Sequence, residues 1–203
     1  VIGFGALQGT LVIRDPTEPT HGEVVEQPFF ESSQANGPRG MLLVPAEEAH
    51  RIDGVALPDA ELYDLLHAVQ DALVEHRRDE AVALCERLVH LAPEHRIALE
   101  ARRSLANYDA NDTEALATVE ALLHLFPEDI PLRLHKAGLL SVLRPHAEQL
   151  AYLQQQLDSK ASDPMFALRL AQGLLGDARE HARALKLLRR VLRSQPHSAE
   201  AWS

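Results

Sequence analysis

The chain has 203 residues, 46% of them hydrophobic, and its 30 acidic residues outnumber 20 basic residues to give a net charge of −10 at pH 7. This acidity argues against a nucleic-acid or anionic-membrane surface, because both require clustered lysine and arginine. No apolar run approaches the roughly 18 residues of a membrane-spanning helix, so we expect a soluble protein. The single cysteine excludes an internal disulfide.

Residues 1–57 predict a small β-rich segment. Apolar, β-branched runs at Val1–Phe4 and Gly9–Ile13 indicate two strands joined as a hairpin. Residues 23–27 are a candidate extended stretch, Pro28–Gln34 allows one helical turn that starts at a proline, and Met41–Val44 predicts a further strand. Three or four strands with so few apolar residues are marginal alone, so we expect the helices or further chain to cover them.

From residue 58 the apolar period changes to 3.6, which predicts helices. Asp59 is the expected cap of the first of them. Two landmarks then recur at the same spacings of 34 and 69 residues: a proline that ends a helix, and a small residue 12 positions before it. They are Pro93, Pro127 and Pro196, with Ala81, Ala115 and Ala184.

A 34-residue period in helical sequence resembles the tetratricopeptide (TPR) repeat, a stacked helix-turn-helix unit. The resemblance covers residues 58–203 and implies a mainly α fold: a right-handed α-solenoid of about four hairpins. The repeats fall at about 62–95, 96–129, 130–164 and 165–198, and Trp202 falls at position 4 of a fifth. The alanines occupy the position where the two helices of a hairpin cross most closely. Arg102 and Arg103 depart from the family's usual Leu and Gly, and Gln149 stands at the small-residue position of the third repeat.

The same resemblance implies that the first helix of each hairpin lines a concave groove, which binds a peptide or a partner helix. We therefore expect a protein or peptide partner, no cofactor, no metal, no nucleic acid and no membrane. The cytoplasm is the favoured compartment, and the oligomeric state stays open. The implied groove residues, each equally open to a packing or solvent-facing role, are Tyr63, Leu66, Gln70, Glu100, Ser104, Asn107, Leu134, Ser141, Phe166 and Arg169.

The first 45 residues carry a second resemblance. The segments that carry the resemblance are Val1-Ile2-Gly3-Phe4, the strand that ends in Asp15-Pro16, and the turn Gly37-Pro38-Arg39-Gly40. This part of the chain resembles the C-terminal end of a papain-like cysteine peptidase domain of the bacterial, bacteriocin-leader-processing type. The resemblance implies that Asp15 orients a catalytic histidine. The chain would then be the C-terminal fragment of a peptidase whose repeats present or select the substrate.

No cysteine or histidine precedes Asp15, and nucleophilic catalysis needs a thiol next to an oriented base. The alternative is that Asp15-Pro16 closes a strand with an Asx-type turn. For the chain as given we expect no peptidase activity.

The single cysteine and a row of basic residues are two further candidate functional features. Cys85 lies on the apolar stripe of its helix, so a core role is favoured over a nucleophile. The last long helix carries a basic strip, which is either a solvated outer face or a surface for an acidic partner. Its residues are Arg179, Arg183, Lys186, Arg189, Arg190 and Arg193.

Overall fold

The computed structural model describes residues 3–5, 7–13, 22–34, 44–57, 59–159 and 163–202. The chain divides into two compact units, residues 1–56 and residues 57–203. The first unit holds a small sheet and short helices, and the second holds paired α-helices.

The sheet of the first unit has three antiparallel strands in the order β1 (Gly3–Gly5), β2 (Thr10–Ile13), β3 (Gly22–Val25). Leu11 of the central strand pairs with Phe4 on one side and Val24 on the other, and it is buried. Helix α1 (Glu26–Gln34) follows directly, and a 3-10 helix spans Ala46–Ile52.

The predicted β1–β2 hairpin is confirmed. Its turn is closed by a hydrogen bond from the Gln8 N–H to the Gly5 carbonyl, and Gly9 takes a φ of 60° there, which costs glycine little. The third strand of the sheet, β3, overlaps the candidate extended stretch at residues 23–25, whereas residues 26 and 27 of that stretch begin α1. Residues 41–43 of the other predicted strand lie outside the described part, and Val44 is not in a strand.

The second unit consists of helical hairpins in series. Each long helix packs against the next one along the chain. The hairpins are α2 (Ala60–Val74) with α3 (Arg78–Leu91), α4 (Arg96–Tyr108) with α5 (Asp112–Leu125), α6 (Ile130–Leu143) with α7 (His146–Leu157), and α8 (Pro164–Leu174) with α9 (His181–Ser194). A 3-10 turn (Ala178–Glu180) precedes α9, and α10 (Ala199–Trp202) follows it.

Side chains cap the first turn of four of these helices, and in α4 the cap is the His95 Nδ1, which accepts from the Ile97 N–H at 3.3 Å. The other three caps are oxygens. The carboxylate or amide oxygens of Asn111, Asp129 and Asp163 accept hydrogen bonds from main-chain N–H groups in the first turn, at 3.1, 2.9 and 2.7 Å. The expectation for Asp59 is wrong: its side chain makes no cap hydrogen bond, and its carboxylate lies 3.7 Å from the His95 imidazole.

The turns inside the first two hairpins use left-handed residues. His76 has a φ of 59° and Ala110 a φ of 50°, although neither is glycine. In each turn the next N–H reaches back to a helix carbonyl: Arg77 donates to Ala72 at 2.7 Å, and Asn111 donates to Ala106 at 2.8 Å. The chain therefore reverses tightly enough for α3 and α5 to lie against the helices that precede them.

The core of the second unit is formed by side chains that lie between the packed helices. Ala81, Ala115 and Ala184, the small residues at the predicted crossing points, have no exposed surface. In the third hairpin the half-buried Gln149 lies at the corresponding place, and its amide donates to the Ala137 carbonyl at 3.4 Å. No helix within the described ranges has the length and apolar character needed to cross a membrane.

Candidate functional site

The predicted groove residues lie on the first helices α2, α4, α6 and α8. We call the exposed and half-buried members of this set the first-helix surface. It comprises Tyr63, Leu66, Gln70, Glu100, Ser104, Asn107, Leu134, Ser141 and Arg169.

The most exposed side chains of this surface are polar. Gln70, Asn107, Ser141 and Arg169 are all exposed, and each lies on a different first helix. Among the described residues no carboxylate lies within ion-pair distance of Arg169. The Ser141 hydroxyl donates to the Gly138 carbonyl at 2.6 Å, which leaves its oxygen able to accept a further bond. These side chains provide hydrogen-bond donors and acceptors for a ligand.

The α2 end of this surface is organised by Tyr63. Its ring lies under the guanidinium of Arg96, with the Arg96 Cζ 5.9 Å from the ring centroid, and Arg96 also donates to the Tyr63 hydroxyl. This contact joins α2 to the start of α4. It holds Tyr63 in place while 39% of the residue stays exposed.

On α4, Glu100 is held by the neighbouring Arg103. The Arg103 Nε and Nη2 donate to one carboxylate oxygen of Glu100 at 2.9 and 2.6 Å. The Ser104 hydroxyl donates to the Glu100 carbonyl at 2.9 Å. Burial lowers the pKa of His135 on α6, and the positive charge of Arg103 lowers it further. The Arg103 guanidinium on α4 therefore affects a histidine on the next first helix.

The apolar members lie deeper. Leu66 and Leu134 are half-buried and pack against the core clusters beneath their helices. The expectation that Phe166 lines the groove is corrected by its burial. The residue has no exposed surface and belongs to the core cluster around Leu153 and Leu168. Ile97, at the same repeat position in α4, is also buried, whereas Tyr63 at that position of α2 stays 39% exposed.

The described residues do not support the interpretation of this chain as part of a peptidase. Asp15 and the turn at residues 37–40 lie outside them. Cys85 is buried among the α2–α4 core, and burial raises the pKa of its thiol, which disfavours the thiolate. No group of three or more His, Cys, Asp or Glu side chains is arranged to hold a metal in the described ranges.

Sequence reasoning missed a pocket of about 700 Å³ formed by α3, α4 and the start of α5. Its walls include Val82, Val89 and Leu105, and Arg102 and Glu114 form an ion pair at its edge. Arg102 stands where the repeat family usually has leucine. That departure was the one sequence signal for this pocket, because an arginine between helices is costly unless a carboxylate pairs with it.

Comparisons with known proteins agree on the fold. YrrB, a TPR protein described as having an unusual peptide-binding site, superposes with a TM-score of 0.51 at 17% identity over 75% of this chain and 77% of that one. A mutant O-GlcNAc transferase from Thermobaculum terrenum superposes with a TM-score of 0.50 at 18% identity over 69% of this chain, which corresponds to 27% of that chain. No protein-family model and no curated protein matches the sequence.

The second unit therefore has the tetratricopeptide-repeat fold, an α-solenoid of paired helices preceded by a small β-rich segment. None of these comparisons supports the peptidase alternative.

Proposed function

We propose that the helical unit is a protein-interaction scaffold whose first helices line a concave groove for a peptide or a partner helix. One observation carries this proposal. Asn107 and Ser141, which lie 34 residues apart at the same repeat position, are both exposed and polar on helices whose other faces are buried. Stacking needs only the apolar stripes of these helices, so the polar side chains are available to a ligand.

The chemistry of the first-helix surface favours hydrogen bonding over charge. Gln70, Asn107 and Ser141 carry amides and a hydroxyl, whereas Glu100 is already paired with Arg103. Such side chains suit the main-chain N–H and carbonyl groups of an extended or helical segment. The peptide-binding site named for YrrB, a protein of the same fold, supports a ligand of this kind.

Affinity capture with the full-length protein, followed by titration of each purified partner, tests the proposal. Asn107→Ala and Arg169→Ala should together weaken binding about tenfold or more, because they remove two polar side chains that the first-helix surface offers to a ligand. Gln155→Ala and Arg144→Ala are the matched controls, since both residues are exposed and lie outside the first-helix surface. Equal losses for both pairs of variants would contradict the assignment.

A further inference from the structure

Helix α9 presents a cationic face that the first-helix surface does not use. Four of its basic residues follow the spacing i, i+3, i+4 and i+7, which places them on one side of a helix. All four are exposed, whereas Ala184 and Val191 on the other side are buried. We call this set the α9 cationic face; it comprises Lys186, Arg189, Arg190 and Arg193.

These four cations lack the carboxylate partners that several other basic residues of the described chain have. Arg179 and Arg183, just before them, pair with Asp177 and Glu180 at 2.8 and 3.4 Å. Among the side chains that the structure describes, no carboxylate oxygen lies within 4.0 Å of a nitrogen of the α9 cationic face. Like charges at these spacings repel one another, so the arrangement costs the isolated helix stability.

A pocket of about 330 Å³ borders this face. Leu157, Ala167 and Val191 contribute apolar surface to it, and Arg190 and Arg193 contribute charge. Asp163 also lines the pocket, but its Oδ1 already accepts the Met165 N–H at 2.7 Å as a helix cap. An apolar recess with a positive edge fits a large apolar side chain that has carboxylates beside it in sequence.

We propose that the α9 cationic face and this pocket form a second docking surface, for an acidic segment of a partner protein. Carboxylates of the segment pair with the four cations, and one large apolar side chain enters the pocket. The surface is distinct from the first-helix surface, because α9 is the second helix of its hairpin. The unmatched cations and the adjoining recess are two separate observations that point to the same ligand.

Charge and size favour a peptide over a nucleic acid or a membrane. The four cations span eight residues of helix, with a rise of roughly 10 Å between the first and the last, which matches a few carboxylates in a short segment. The chain as a whole carries a net charge of −10 even with these residues included. A long polyanion would extend past the face and meet that excess negative charge, whereas a short acidic segment would not.

A selection from a library of displayed random 12-residue peptides, made on the complete chain, tests the proposal. Enriched peptides should combine several Asp or Glu residues with one large apolar residue. Their affinity, measured by fluorescence anisotropy, should fall about tenfold or more in the variant K186Q/R189Q/R190Q/R193Q. It should also fall when salt is raised from about 0.05 to 0.3 M, because the pairs are solvent-exposed.

Two matched variants separate this surface from general charge effects and from the first-helix surface. R77Q/R87Q/R144Q/R179Q removes the same four charges elsewhere and should change the affinity less than about twofold. Asn107→Ala with Arg169→Ala should leave these acidic peptides bound, and loss in that variant alone would assign them to the first-helix surface. Absence of acidic peptides from the selection, or stronger competition by a single-stranded oligonucleotide or by phosphatidylserine vesicles, would overturn the proposal.

Discussion

Arg78 and Asp109 are joined by a two-pronged ion pair, in which Arg78 Nε to Asp109 Oδ1 and Arg78 Nη2 to Asp109 Oδ2 both measure 2.7 Å. Arg78 begins α3 and Asp109 ends α4, so the pair ties the first hairpin to the second. The hydrogen bonds from the guanidinium, and then its charge, hold the pKa of the Asp109 carboxyl below its ordinary value.

Replacing this arginine should raise the pKa of Asp109. In Arg78→Gln the Asp109 carboxyl should have a higher pKa than in the wild type, closer to its ordinary value, as NMR of the side chain can measure. Because the pKa of Asp109 is depressed in the folded chain, the pair stabilises the fold above that ordinary value and is lost as pH falls through the folded pKa. The stability difference between wild type and variant should therefore shrink below about pH 4. Arg87→Gln, whose partner is Glu61, is the control, and an unchanged Asp109 pKa in Arg78→Gln would contradict this account.

The crossing of α4 and α5 leaves no room at Ala115, which has no exposed surface. Ala115→Leu should lower the free energy of unfolding by about 1–3 kcal/mol through overpacking, measured by urea denaturation. Ala117→Leu makes the same change at an exposed site two residues along the same helix, and it should alter stability by less than about 0.5 kcal/mol. Equal effects of the two substitutions would argue against the repeat spacing used here.

Because Ala110 has a left-handed backbone conformation, we expect that its replacement by glycine stabilises the fold. Its φ of 50° brings a Cβ close to the following carbonyl oxygen, at a cost of roughly 1–2 kcal/mol that glycine avoids. Glycine also loses more chain entropy on folding, so we expect Ala110→Gly to raise stability by up to about 1 kcal/mol. Ala117→Gly, inside α5, should lower it by about 1 kcal/mol. A destabilising Ala110→Gly, measured by the same denaturation, would show that the turn differs from this description.

Phe166 should behave as a core residue. Phe166→Ala should cost about 3–5 kcal/mol of stability, because the ring is fully buried and its removal leaves a cavity. Arg169→Ala, one turn later on the exposed side of α8, should cost less than about 0.5 kcal/mol. Thermal unfolding of both variants measures the contrast, and a small effect at Phe166 would return it to the ligand surface.

The Cys85 thiol should resist alkylation in the folded chain. Its residue is 4% exposed and burial raises its pKa, so little reactive thiolate is present near pH 8. A cysteine introduced by Ser141→Cys, on an exposed position, provides an internal reference in the same sample. Iodoacetamide should label that reference about tenfold or more faster, as peptide mass spectrometry can measure. Comparable labelling would show that Cys85 is accessible.

The sequence predicted most of the helical unit because its landmarks have a direct physical cause. In three of the four hairpins a proline follows the second helix and an alanine fits where the two helices cross, so the recurrence of these residues locates the hairpins before any contact is seen. The second helix of the third hairpin, His146–Leu157, forms inside the predicted repeat 130–164 even though Gln149 replaces the small residue there.

The candidate surface was less predictable, since periodicity shows which side of a helix a residue occupies but not what covers it. Phe166 was assigned to the groove by its repeat position, and the core around Leu153 encloses it. The ion pair of Arg102 was hidden for a related reason: the sequence shows an arginine at a leucine position, but only the fold brings Glu114 to it. The β3 strand could not be fixed because Gly22–Val25 is short and has little alternation.

The central claim is that a partner contacts the first helices of the stack. Photo-crosslinking tests it most directly, with benzoylphenylalanine placed in turn at Gln70, Asn107 and Ser141 on first helices, and at Ala83 and Ala117 as exposed positions on second helices. With a partner peptide found by affinity capture, the account predicts adducts from the three first-helix positions and few from the other two. Adducts confined to positions 83 and 117 would contradict it.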